Sequence, residues 1–124
     1  MMEFNMQNSL ECSFKKEFLQ NTTILYVESN PKIRTEAVEI FEGFFSNVIT
    51  AIDGKEAYEK FIKFHNEIDI ILTDIELPQM SGLELLKEIR KKSWEIPVLI
   101  STAFEESEIL LKLIKLMCHK KISF

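Results

Sequence analysis

Ile68-Asp69-Ile70-Ile71-Leu72-Thr73-Asp74-Ile75-Glu76-Leu77-Pro78-Gln79-Met80-Ser81-Gly82 decides the fold of this 124-residue chain. Its branched apolar run reads as a strand over Ile68–Thr73, buried on both faces as in a parallel sheet. The strand delivers the carboxylate of Asp74 to a proline-bounded loop. Open α/β folds do their chemistry at that carboxyl edge.

Outward from this strand, short apolar runs alternate with segments of helical period, the pattern of βαβ units. Thr23–Val27 reads as the first strand. Asn30 then Pro31 form a cap followed by proline at the first helical position, and Ile33, Ala37, Ile40, Phe41 and Phe44 supply the apolar stripe of a helix of about four turns. Asn47–Ile52 is a second strand, Asp53-Gly54 a turn and cap, and Ala57, Phe61 and Phe64 one face of a second helix. After the loop at Pro78–Gly82, Leu83, Leu86, Ile89 and Arg90 mark a third helix that ends near Lys91-Lys92. Pro97–Ser101 is a fourth strand and Glu105–Met117 a fourth helix. Lys121–Phe124 reads as the start of a short fifth strand, with no final helix after it.

Composition narrows the class. The chain has the length of one domain, expected over residues 22–124, with residues 1–21 as an amino-terminal arm. There Ser9 caps a short helix carrying Leu10, Phe14 and Phe18. A formal net charge of -5 argues against a phosphate-backbone surface and so against nucleic-acid binding by this segment. Cys12 and Cys118 make neither a disulfide framework nor a zinc knuckle. No secretion signal or membrane-spanning run is evident, so a cytoplasmic location is expected. His65 and His119 fall near helix ends without a metal-ligand partner at helical spacing, and Trp94 reads as a loop anchor.

Three strand ends carry polar groups: Glu28-Ser29, Asp74, and Ser101-Thr102. Right-handed crossovers in a doubly wound sheet set the first, third and fourth strands side by side. Two carboxylates there repel unless a cation or a shared proton intervenes. Mg2+ suits such a site, since it takes one or two carboxylates, keeps several waters and binds phosphate oxygens. An aspartate beside it can act as nucleophile toward a phosphoryl group, and Thr102 is in position to hydrogen-bond the product.

Ile24–Glu28, Asp69–Gly82 and Pro97–Ala103 together resemble the receiver domain of two-component response regulators, the CheY-like family, over roughly residues 22–122. The resemblance implies a flavodoxin-like doubly wound parallel sheet of about five strands, here truncated at the carboxyl end relative to the family. It implies a non-enzymatic module of a phosphorelay in which Asp74 accepts a phosphoryl group from a histidine kinase or histidine phosphotransfer domain. Mg2+ is then held by Asp74, the acidic position at Glu28 and the backbone carbonyl of Glu76, while Thr102 acts as the switch hydroxyl. Ser29 stands where the family has a second acid, so weaker Mg2+ affinity is expected. Phe124 falls where the family has a lysine that contacts the phosphoryl group.

Two other readings stay open. A pseudo-receiver that serves as a phosphorylation-independent interaction or dimerisation module fits Ser29 and the shortened end. A small phosphatase of the haloacid-dehalogenase type shares the aspartyl-phosphate chemistry, and Asp74-Ile75-Glu76 resembles its paired acids, but Glu stands in the second place and its cap domain, lysine and later acidic loop have no counterpart here. The fourth helix is apolar around most of its circumference, from Ile109 through Met117, and is expected to form an interface such as a homodimer contact.

Overall fold

In a computed structural model of the chain, residues 20–93 and 95–101 are described. Four parallel strands, β1 (Thr23–Val27), β2 (Asn47–Ala51), β3 (Ile70–Asp74) and β4 (Val98–Ser101), lie in the order β2-β1-β3-β4. Three helices join them: α1 (Pro31–Phe41), α2 (Gly54–Phe64) and α3 (Gly82–Lys92). The expected adjacency of the first, third and fourth strands is observed. The fifth strand, the fourth helix with its expected homodimer face, and Thr102, Trp94, His119, Cys12 and Cys118 lie outside the described residues, as does nearly all of the amino-terminal arm.

Alternation along each strand distributes the side chains between two cores. Ile24, Tyr26, Ile70 and Leu72 face α1 and pack with Ala37, Phe41 and Phe45. Leu25, Val27 and Ile71 face the other way, against Ala57 and Phe61 of α2 and Leu85 and Ile89 of α3. Aromatic edges fill the first core, with Phe41 meeting Tyr26 at 5.2 Å and Phe45 at 5.9 Å between ring centroids, both T-shaped. This is the arrangement that the ring quadrupoles favour.

Each helix starts at a cap that the sequence supplies. Asn30 Oδ1 accepts from the amides of Lys32 and Ile33, and Pro31 follows at the first helical position. Asp53 accepts from Glu56 N at 2.7 Å, while the Glu56 carboxylate accepts from Ile52 N. Ser81 and Glu84 form a reciprocal capping box.

The elements depart from the sequence reading in small ways with definite causes. β3 starts at Ile70 and includes Asp74, because Asp69 instead clasps β1: its amide donates to Thr23 O and its carboxylate accepts from Thr23 N at 2.8 Å. α1 spans 11 residues, about three turns, and stops before Phe44 where the amides of Phe44 and Phe45 both return to Phe41 O. β2 ends one residue early because Ile52 N turns to Glu56, and β4 begins after Pro97, which has no amide to give a ladder. In α3 the buried positions are Gly82, Leu85 and Ile89, whereas Leu83 is 51% exposed. The capping box sets that phase by fixing where the first turn begins.

Phe41 is fully buried and joins α1 to the sheet. Phe41→Ala is expected to lower the unfolding free energy by about 3–5 kcal/mol, read from urea denaturation, with the helices retained under native conditions.

Candidate functional site

β3 lies between β1 and β4, and its carboxyl end carries the site. Val27 pairs with Thr73, which brings Glu28 and Asp74 to the next row of adjoining strands. Asp74 in turn pairs with Ser101. The ladders continue past both carboxylates: Glu28 N donates to Ala51 O at 3.0 Å, and Ile75 N to Ser101 O at 3.1 Å. Both acids are thus held on main chain that is bonded to a neighbouring strand.

The surroundings of the two carboxylates differ. Glu28 is 8% exposed and accepts from Asn30 N at 3.0 Å. Asp74 is half-buried, with a long 3.4 Å contact from Glu76 N to its Oδ1. Ser29 is half-buried and Glu76 exposed, each two residues beyond a strand end. Two glycines let the next loop close over this edge. A Cβ on Gly82 would overlap Asp74 O, and one on Gly54 would overlap Met80 O. Neither position tolerates a side chain without moving backbone. Between them Gln79 takes the left-handed conformation at φ 70°.

Two carboxylates lie at the ends of adjacent strands at this edge, and Ser29 and Glu76 stand in the loops that follow them. Among the described residues no group of three or more His, Cys, Asp or Glu side chains is gathered to hold a metal ion. A set of two acids fits Mg2+, which dehydrates reluctantly and accepts one or two carboxylates, better than an ion that needs a full protein cage.

Tyr26 and Arg34 belong to this neighbourhood, and the sequence reading did not name either. Tyr26 sits two residues before Glu28 on the same face of β1, is 3% exposed, and pairs with Leu72, itself two residues before Asp74. Burial pushes its phenol well above the usual range, and the negative charges of Glu28 and Asp74 push it further, with Arg34 opposing them. Strand parity was the available signal for Tyr26. For Arg34 it was the spacing of one turn from the cap at Asn30.

The chain matches the response regulator receiver domain model over residues 24–123. It belongs to that family. A hybrid signal transduction histidine kinase D from Dictyostelium discoideum is 30% identical over 118 residues, covering 88% of this chain and 7% of the kinase. The chain spans 24% and 9% of two further curated relatives, so it corresponds to a small part of each. Among solved structures, CheY of Borrelia burgdorferi in a complex with CheX, BeF3 and Mg2+ aligns with a TM-score of 0.62 at 29% identity, over 76% of this chain and 72% of that one. A complex of histidine kinase ThkA with response regulator TrrA gives a TM-score of 0.62 at 30% identity, over 77% of this receiver chain and 98% of the matched chain. The flavodoxin-like parallel fold expected from the sequence is the fold of these receivers. No helix among the described residues is long and apolar enough to cross a membrane.

The raised phenol gives a prediction with a definite sign. The unfolded chain releases the Tyr26 proton near pH 10, the ordinary value, while the fold keeps it. Stability contributed by this group is therefore complete below pH 10 and is lost as pH rises toward the higher folded value. Tyr26→Phe is expected to flatten the fall in unfolding free energy above pH 10 by up to about 1.4 kcal/mol per pH unit, measured by denaturant titration. Identical slopes for the two proteins would show that the phenol is not shielded.

Proposed function

We propose that this receiver is a working phosphoacceptor: Asp74 takes a phosphoryl group from the phosphohistidine of a histidine kinase or histidine phosphotransfer domain in the cytoplasm. The observation that carries this reading is a half-buried carboxylate at the end of the central strand, with Glu28 in the adjoining row. The transfer forms a bond from an Asp74 carboxylate oxygen to phosphorus as the phosphorus–nitrogen bond breaks, and the leaving imidazole takes up a proton. Membership of the receiver family, with one relative a hybrid kinase and another seen with its kinase, supports the donor class.

Glu28 and Asp74 would hold Mg2+, with the Ser29 hydroxyl and the Glu76 carbonyl as further oxygen donors. When bound, the ion neutralises charge on the phosphoryl oxygens. Asp74 supplies the nucleophile, and the bonded main chain on either side of β3 keeps it aimed out of the sheet edge. The Thr102 hydroxyl reads the product and biases a two-state interaction surface that includes residues 105–117.

Ser29 favours a second reading, in which the fold is a constitutive interaction module without phosphorylation. Intact mass after incubation with Mg2+ and acetyl phosphate separates the two. The expected result is a gain of one phosphoryl group in the wild type and none in Asp74→Asn. A gain retained in Asp74→Asn would show that another residue is the acceptor, and a folded wild type that gains nothing at high Mg2+ would favour the constitutive module.

Ser29→Asp is expected to tighten Mg2+ binding by about tenfold or more, because it adds a full negative charge to a hard-cation site. Unchanged affinity in calorimetric titration would mean that position 29 faces away from the ion.

A further inference from the structure

Arg34 lies on the first turn of α1, and its guanidinium reaches back to the strand end it follows. One terminal nitrogen donates to Glu28 O at 2.8 Å and makes a longer 3.5 Å contact with Ser29 O. Its amide donates to Asn30 O at 2.9 Å, so residues 28–34 close on themselves through both main chain and side chain.

The direction of these bonds has a consequence for Glu28. No peptide bond in the described chain is cis. In a trans peptide the carbonyl of one residue and the amide of the next point in opposite directions. With the Ser29 carbonyl turned toward Arg34, the Asn30 amide must point the other way, and there it meets the Glu28 carboxylate at 3.0 Å. Arg34 thereby braces both peptides of this turn, the Glu28–Ser29 peptide by its short bond and the Ser29–Asn30 peptide, whose amide holds the carboxylate, by the longer contact.

We propose that Arg34 is a positioning residue for the metal site, acting through the Ser29–Asn30 peptide to orient the carboxylate of Glu28. The assignment rests on the receiver reading of Glu28 as a ligand to Mg2+. It matters more here than where two acids follow β1, because Ser29 brings no charge and Glu28 is the one carboxylate that the end of β1 offers the ion. A guanidinium suits the task. One terminal nitrogen of this planar, rigid group reaches both carbonyls from a fixed direction, whereas an ammonium is a compact charge on a flexible stem.

The test is a Mg2+ titration of the whole chain, followed by amide chemical shifts of Ser29 and Asn30 and by calorimetry, beside thermal unfolding of each variant. Arg34→Met is expected to remain folded and to bind Mg2+ about tenfold more weakly, the lower end of the effect of groups that orient a metal ligand. Arg34→Lys, which keeps charge and helix propensity, is expected to recover part of the loss. In a Glu28→Gln background, Arg34→Met is expected to change Mg2+ affinity by less than about twofold, since the carboxylate it orients is gone. Wild-type affinity in folded Arg34→Met overturns the proposal. So does a tenfold loss that persists in the Glu28→Gln background, which would mark a general loosening of the domain. Should Arg34→Met fail to fold, wild-type affinity in Arg34→Lys overturns it equally. A wild type that binds no Mg2+ removes the receiver reading of Glu28 and this inference with it, and that outcome is distinct because it appears before any Arg34 variant is compared.

Discussion

The central place of β3 is the constraint on which this molecule depends. A strand bonded on both sides has its register fixed twice, once by β1 and once by β4. Its faces are committed to two separate cores. A slip of one residue would exchange Ile70 and Leu72 with Ile71 and bring Asp74 into the wrong row. The position of the reactive carboxylate is thus secured by apolar packing some distance from it. Buried ladder hydrogen bonds add to this because breaking them leaves main-chain groups unsatisfied in a dry interior.

Much of this was legible in the sequence because branched strands and capped helices carry strong local signals. Asn30-Pro31 and Asp53-Gly54 mark their helix starts by side-chain chemistry that acts within three residues, and both caps are observed, whereas the equally local capping box of Ser81 and Glu84 starts a helix where the sequence reads as loop. The misjudged boundaries were those decided by single hydrogen bonds, near or remote, that apolar periodicity does not register. Asp69 looks like part of a strand until its bond to Thr23, 46 residues away, is known. Leu83 looks like a core residue until the capping box fixes the helix phase and turns it outward.

The same distinction applies to the site. Asp74, Glu28 and Ser29 were visible as strand-end polar residues, and strand order follows from general crossover rules. Tyr26 and Arg34 were not, because a tyrosine in an apolar strand and an arginine in an amphipathic helix are ordinary in isolation. Their significance comes from tertiary placement, Tyr26 beneath two carboxylates and Arg34 behind the peptide between Ser29 and Asn30. One is a phenol that resists ionisation, the other a permanent cation that works against that resistance.

Gly54 and Met80 touch backbone to side-chain position with no room for a methyl group between them, and Gly54 N reaches Pro78 O. The corner that opens α2 and the loop that leaves β3 are therefore one mechanical part assembled from two distant stretches of chain. Neither can be lengthened, shortened or exchanged for a homologous loop while the other is kept. A successful graft at this end of the sheet must carry both segments together, whereas single-loop exchange suits connections that do not share a wall.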